Sequence, residues 1–388
     1  MVRYSYTIGN GQSDKLMHRF NPLTGQYDLV DTTFSNLFTS RQQTHAPEWS
    51  VNYTAKKFNA LIGAGVQWLE QQNSSSQLKN TLPQQYTNFF PRANIRYQFS
   101  KTGNINLTYT GRSEQPAISL LQPVPDNSDP LYIRLGNPGL KPSFFHNINI
   151  NLQQYATRDF WNAGIDFETI RNQVVYDTWF DTVQVSQPVN ANGNYRLSYN
   201  INYSRHWRKK NWSLRISLGN SGEYNRTVAF TNKQQTFTSN YSIAQRMGFS
   251  FSFKKLVTVA STFMIRYNET RYTTQEIQTT ENVTRSLITN LTLNWPRRFI
   301  LENKWQYFSN SRTAPGFPRG VTMWHVALNY QLFRNSQATL RFALYDLLRQ
   351  TTSISRTITP TYIEDTQVQA LRQYGLVSII YNLNQFGK

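Results

Sequence analysis

No cysteine occurs among the 388 residues. That excludes disulfides, thiolate metal sites and cysteine nucleophiles, and it leaves the redox compartment open. No run approaches the ~18–20 apolar residues of a membrane-spanning helix. The start, MVRYSYTIGN, lacks the apolar h-region of a signal peptide. Either the protein stays in the cytoplasm, or the chain is a piece whose amino-terminal part is missing. Catalytic signatures are lacking too. The five histidines (His18, His45, His146, His206, His325) stand apart, without H-E-x-x-H or other metal-ligand spacing, and there is no G-x-S-x-G elbow or Walker loop. Neither an enzymatic role nor a cofactor is expected.

Acidic residues are scarce, 21 against 40 Lys and Arg, for a net charge of +19. Nucleic acid is the obvious partner for such a balance, but the basic residues are scattered. Pairs such as Lys56–Lys57, Arg208–Lys210 and Arg297–Arg298 fall at breaks between apolar runs, and no basic helix or zinc pattern accompanies them. Anionic lipid is the better counterpart, and no nucleic-acid partner is expected. Hydrophobic residues make up only 39%, yet 14% are aromatic, and mean hydropathy is −0.57. A low average does not exclude a membrane, because strands with one lipid face and one wet face average to a polar value.

What fills the chain is alternation. In YRLSYNINYSRHWRKKNWSLRISLG (195–219), Tyr195, Leu197, Tyr199, Ile201 and Tyr203 alternate with Arg196, Ser198, Asn200, Asn202 and Ser204. After a basic break, Trp212, Leu214, Ile216 and Leu218 repeat the pattern, as in a β-hairpin. Similar runs occur at 104–109, 147–152, 249–253, 324–330 and 377–383. Short breaks near 56–57, 100–103, 155–159, 208–211, 254–255, 296–298 and 333–336 take turns with longer polar segments. Those segments lie near 10–33, 71–85, 112–143, 176–182, 227–236, 272–280, 311–320 and 348–368. One rim of tight turns and one of long loops is the pattern of an up-and-down transmembrane barrel, here of roughly 16 strands. The whole chain, 1–388, reads as one all-β, antiparallel barrel domain. A sandwich would have strands of ~5–6 residues, and a propeller would repeat every ~40–50. A soluble all-β binding module is the main rival.

The faces of such a barrel can be assigned. Tyr, Leu and Ile of the 195–219 hairpin face lipid; Arg, Ser and Asn face a wet lumen. Trp207 and Trp212 sit where an interfacial aromatic girdle would. Lumen-lining candidates are Arg92, Arg96, Asp166, Glu168, Arg196 and Arg215. Asp166 and Glu168 are a carboxylate pair that could do acid–base work, but ion pairs with Arg196 and Arg215 are the plainer expectation. Gly63 and Gly65 lie in a strand, on the lumen face or where curvature is relieved. In the loops, Asp126, Asn127 and Asp129 of PVPDNSDP could bind calcium, though an Asx/Pro turn explains them as well. Arg112 and Arg134 flank the same segment. Proline at 116, 123, 125, 130, 138 and 142 stiffens it.

LQPVPDNSDP (121–130) followed by LGNPGLKP (135–142) resembles the loop-to-strand passage of TonB-dependent receptor barrels, especially the Bacteroidota outer-membrane family. QPVNANGNY (187–195), YDLLRQTTSISR (345–356), TYIEDT (361–366) and the ending SIIYNLNQFGK are similar to that family's carboxy-terminal region. Asn137-Pro138 with Leu140-Lys141-Pro142 is the most specific piece; Ser143 stands where such receptors often have Glu. The resemblance implies the carboxy-terminal portion of a 22-stranded receptor in the bacterial outer membrane. The plug domain and about six strands would then lie upstream. It also implies a plug and TonB complex as partners, outer-membrane lipid and lipopolysaccharide around the barrel, and uptake of an unidentified ligand. The long loops would bind that ligand or cover the mouth, or Arg112 and Arg134 would contact lipopolysaccharide phosphates. A plugless passive pore or a structural barrel is the alternative within the membrane reading.

Overall fold

The computed structural model describes all residues except 33–34, 77–81, 123–124, 130, 274–277, 296–297, 314–317, 334–336, 352, 359–362, 369–370 and 382–388. The side chains of 82, 127–129, 353–358 and 363–368 also fall outside the description. Strands dominate, and sixteen of them form one antiparallel meander in chain order. Its first half runs through Val2–Lys15, Asn36–Thr54, Phe58–Ser75, Leu82–Tyr97, Gly103–Glu114, Ser143–Tyr155, Asp159–Arg171 and Asn194–Arg208. Its second half runs through Trp212–Thr231, Gln234–Phe253, Val257–Tyr272, Thr280–Leu293, Phe299–Asn310, Gly320–Gln331, Ala338–Tyr345 and Tyr374–Tyr381. The terminal strands each have one antiparallel neighbour among the described residues; every other strand of the meander has two.

Register carries the period-two pattern across the sheet. One row reads Gly63, Arg92, Thr110, Asn147, Glu168, Arg196, Asn225, Asn240 and Thr270 on nine successive strands. An adjacent row reads Ile62, Ala93, Tyr109, Ile148, Phe167, Leu197, Tyr224 and Tyr241. Every side chain of the first row lies on one face and every side chain of the second on the other, because successive residues of a strand alternate faces. The apolar face is open: Ile201 is 49% exposed, Ile62 54% and Met247 50%. Such a continuous apolar surface on a soluble protein would be an aggregation hazard.

All seven tight connections fall where expected, at 55–57, 98–102, 156–158, 209–211, 254–256, 294–298 and 332–337. The opposite rim departs from expectation. The segment expected as a loop at 227–236 is strand: Trp212–Thr231 and Gln234–Phe253 stay paired out to a two-residue turn at Asn232–Lys233. Both turn residues have positive φ, 52° and 62°, which matches the twist of a tight hairpin. A tilted strand crosses a membrane in ~9–11 residues, so about half of each 20-residue strand of this hairpin stands clear of it. Strand likewise persists to Lys15 and to Ser75, shortening the first two loops.

Four of the remaining long connections contain structure of their own among the described residues. Between 115 and 142 lie a single helical turn, Ile118–Leu121, and the short strands Asp126–Asp129 and Tyr132–Arg134. Between 172 and 193 lies a hairpin, Gln173–Phe180 with Gln184–Ala191. It is set off from the wall by Asn172 (φ 51°) and Gly193 (φ 106°). Small hairpins also form at His18–Asn21 with Gln26–Val30 and at Ser353–Ile358 with Ile363–Val368.

Candidate functional site

The described residues contain two buried apolar clusters, and both sit at the long-loop rim. In the first, Phe38 of the wall strand Asn36–Thr54 packs with Leu121 and Leu140 from the 115–142 segment, each at most 1% exposed, with Ile118, Leu120 and Val174 around them. Phe38 belongs to the polar face, since it alternates with exposed Leu37. The loop segment is therefore folded over that face. Ile118 also lies over Gly11, where a β-carbon would collide with it. In the second cluster, Val175 and Ala191 of the 173–191 hairpin pack on Val228 of the protruding wall hairpin. Fully burying a Leu or Val side chain contributes roughly 1.5–3 kcal/mol, so these clusters are what hold the rim together.

Hydrogen bonds lock the two segments to each other. The Asn190 amide accepts from the Lys141 N–H (2.7 Å) and donates to the Lys141 carbonyl (2.9 Å) and the Asn172 carbonyl (2.7 Å). The Asn137 amide donates to the Pro188 carbonyl (3.0 Å) and accepts from the Gly139 N–H (2.9 Å). From the wall, Gln84 donates to the Pro138 carbonyl (2.6 Å) and Tyr86 to the Leu140 carbonyl (3.1 Å). LGNPGLKP and QPVNANGNY, more than forty residues apart, thus form one knot. Parallel pairing of Gln184–Ser186 with Tyr132–Arg134, and of Asp177–Thr178 with Phe230–Thr231, extends it into a small rim sheet.

The candidate residues of the wall fall on the expected face but do not pair as expected. Arg92 bonds Glu48 at 2.6 Å, with Glu48 only 10% exposed at its side chain. Glycine at 63 makes this geometry available: a β-carbon there would lie 2.8 Å from the Trp49 carbonyl and 3.3 Å from the Arg92 guanidinium. Gly65 leaves room in the same way for the ring of Phe90. Arg96 shares the face of Arg92, nearer the tight turns. The expected ion pairs of Asp166 and Glu168 do not form among the described residues. Asp166 accepts from the Asn149 amide at 2.9 Å instead. Glu168 and Arg196 lie opposite in register without an ion pair, and Arg215 lies opposite His206 near the tight-turn end. Their neighbours are amides: Asn162, bonded by Asn200 at 2.8 Å, begins a polar ladder along the wall. A concavity of about 570 Å³ farther along the same wall is lined by Ser198, Glu223, Asn240, Arg266 and Asn268 among others. Sequence reasoning missed Glu48, Glu223 and Arg266, although each has the parity of its polar neighbours.

In the loops, the Lys15 ammonium lies 3.3 Å from the Asp126 carboxylate and 2.8 Å from the Pro125 carbonyl, so a lysine takes the position considered for calcium. The Asp129 side chain lies outside the described residues. Arg112 bonds Glu114 at 3.0 Å and lies 4.0 Å over the Phe145 ring, on the polar face. Arg134 lies 5.1 Å over Tyr132.

A two-faced meander of sixteen strands with an open apolar surface is what a lipid-embedded wall requires. The chain belongs to the outer membrane protein beta-barrel family. The family's model matches residues 2–258. The place of this barrel is the bacterial outer membrane, with its apolar face on lipid and its polar face on the lumen. Similar solved structures include the outer membrane transporter YddB from Escherichia coli, 10% identical over 88% of this chain and 59% of that one, with a TM-score of 0.28. Pyoverdine-bound FpvA of P. aeruginosa is 9% identical over 97% of this chain and 64% of its own, at a TM-score of 0.31. OmpT of Vibrio cholerae is 7% identical over 98% and 97%, at 0.27. The chain thus spans less than two thirds of the first and second of these. No curated protein matches the sequence.

Proposed function

We propose that this chain is the barrel portion of a TonB-dependent receptor-like protein that takes up a ligand through the outer membrane. The observation that carries this reading is the built mouth. A loop segment packed onto Phe38 and clamped by Asn190 and Asn137 is a shaped surface on a rigid scaffold, where binding usually resides. The polar lumen below it, with Arg96, Arg196 and Arg215 on its wall beside the Arg92–Glu48 pair, suits a solute that carries negative charge. In this reading the plug, about six further strands and the TonB contact belong to the same polypeptide upstream, as the resemblance to the Bacteroidota receptors implies. No catalytic role is proposed for any residue.

An antibody raised against this chain tests the reading on outer membranes of the native host. A polypeptide well beyond 388 residues that is cross-linked to TonB supports the receptor. A polypeptide of this length, with steady conductance in planar bilayers, contradicts it and favours the passive pore.

A further inference from the structure

The outward face carries a feature that uptake does not require. Five neighbouring wall strands, from Asp159–Arg171 to Val257–Tyr272, end their apolar stretches in a belt of aromatic rings and guanidinium groups on the long-loop side. From the tight turns upward, the outward residues of Trp212–Thr231 are Trp212, Leu214, Ile216 and Leu218, then Asn220, Gly222, Tyr224 and Arg226. Those of Val257–Tyr272 are Val257, Val259, Ser261, Phe263, Ile265 and Tyr267, then Glu269 and Arg271. Ten to twelve residues separate the first outward side chain from the belt, about what a tilted strand needs to cross the hydrocarbon. The belt therefore lies at the headgroup level of one leaflet. Long loops of such barrels are extracellular, so it is the outer one.

Within the belt the rings of Tyr195, Tyr224 and Tyr241 follow one another at 5.5 and 4.7 Å. Arg226 lies 3.9 Å over the Phe237 ring and 5.9 Å over Tyr195. Arg271 lies 5.0 Å over Tyr241 and is bonded to Glu269. Arg171 stands one position beyond the Thr169–Tyr195 pair, on the same face. Among the described residues neither Arg171 nor Arg226 has an ion pair. Stacking on Phe237 occupies the flat face of the Arg226 guanidinium and holds it still beside the Tyr195 hydroxyl, while its remaining in-plane N–H groups point to an anion at that level; Arg171 brings a second guanidinium to the same face. A guanidinium fits phosphate oxygens, two bonds at a time.

We propose that Arg171 and Arg226, set in this tyrosine belt, bind the phosphate groups of a phosphorylated glycolipid of the outer leaflet. The loop arginines that the sequence suggested for such contacts are elsewhere: Arg112 is lumenal and paired with Glu114, and Arg134 lies in the rim sheet.

The test uses the full folded chain in phosphatidylcholine nanodiscs, titrated with bisphosphorylated lipid A or with the same lipid dephosphorylated, and read by native mass spectrometry. Wild type is expected to retain the bisphosphorylated lipid at least tenfold more tightly. R171Q/R226Q is expected to lose that preference, while K209Q/K210Q on the tight-turn rim keeps it. Equal retention of the two lipids by wild type overturns the proposal whether or not the variants fold. Undiminished preference in a folded R171Q/R226Q overturns it as well. Full displacement by millimolar inorganic phosphate would show a plain anion site and overturn the headgroup assignment.

Discussion

The two rims of this barrel are built by different physics. At the tight-turn rim, connections of three to six residues join strands that are already paired, and no apolar cluster forms there among the described residues. At the long-loop rim, segments of twenty residues and more fold back on the wall and bury Phe38, Leu121, Leu140, Val175 and Val228. One rim only reverses the chain. The other is a small structure with its own core, and there the barrel meets its surroundings.

That contrast can be attacked from the rim with the larger expected effect. Phe38→Ala removes the wall half of the first cluster and is expected to cost roughly 3–5 kcal/mol locally. Trypsin cleavage after Arg134, within the segment, reads its release in the folded barrel, and Lys209→Ser on the other rim should stay within ~0.5 kcal/mol. Protection of Arg134 in Phe38→Ala would mean that the cluster is not what holds the loop. A Gly63→Ala change forces a β-carbon against the Trp49 carbonyl and the Arg92–Glu48 pair, an overpacking cost of about 1–3 kcal/mol in thermal unfolding. At Asn190→Ala the loss of the Lys141 clamp is expected to cost about 1–2 kcal/mol and to raise amide exchange at 137–142 while leaving 209–211 unchanged.

Single turn residues carry smaller effects. Lys233 holds a left-handed conformation that glycine adopts freely, so Lys233→Gly is expected to stabilise the protruding hairpin by about 1 kcal/mol. Asp346, buried just past the strand Ala338–Tyr345, gives the rim a pH dependence. Burial alone would raise its pKa, but the N–H groups of Thr351 and Gln350 and the Thr351 hydroxyl outweigh burial and hold the carboxyl below its ordinary value. A depressed carboxylate stabilises the turn above its unfolded pKa, near 4, and that contribution fades as pH falls through the lower folded value. Amide exchange at 350–351 should therefore rise below about pH 4 in wild type and be already high in Asp346→Asn. A flat profile in wild type would remove the carboxylate from the account.

The walls were legible because period two is a strict rule. Once Tyr199 is assigned to one face, Arg196, Asn200 and, across the ladders, Arg92 and Glu168 follow without knowledge of loops or partners. The partners themselves were not legible. Whether Asp166 meets Asn149 or an arginine depends on height in the barrel and on rotamer, neither of which alternation encodes. The rim misled for a related reason. TVAFTNKQQTF is polar enough to pass for a loop, and its turn is Asn-Lys rather than the Asn-Gly that signals a tight hairpin. VVYDTWF and QVSQPVNA alternate like wall strands, and only the left-handed residues at 172 and 193 divert them. The mutual clamp of Asn137 and Asn190 had a visible trace, since both lie in the motifs that resemble the receptor family.

The absence of cysteine makes the most direct test of the two-faced wall simple. Single cysteines are placed along 197–202 of the chain folded in native-like outer membranes and treated with a charged, membrane-impermeant maleimide. Labelling is expected at 198, 200 and 202, on the lumenal row, and protection at 197, 199 and 201, on the lipid row. Equal labelling at all six positions, or labelling of the odd ones alone, would contradict a lipid-embedded barrel wall.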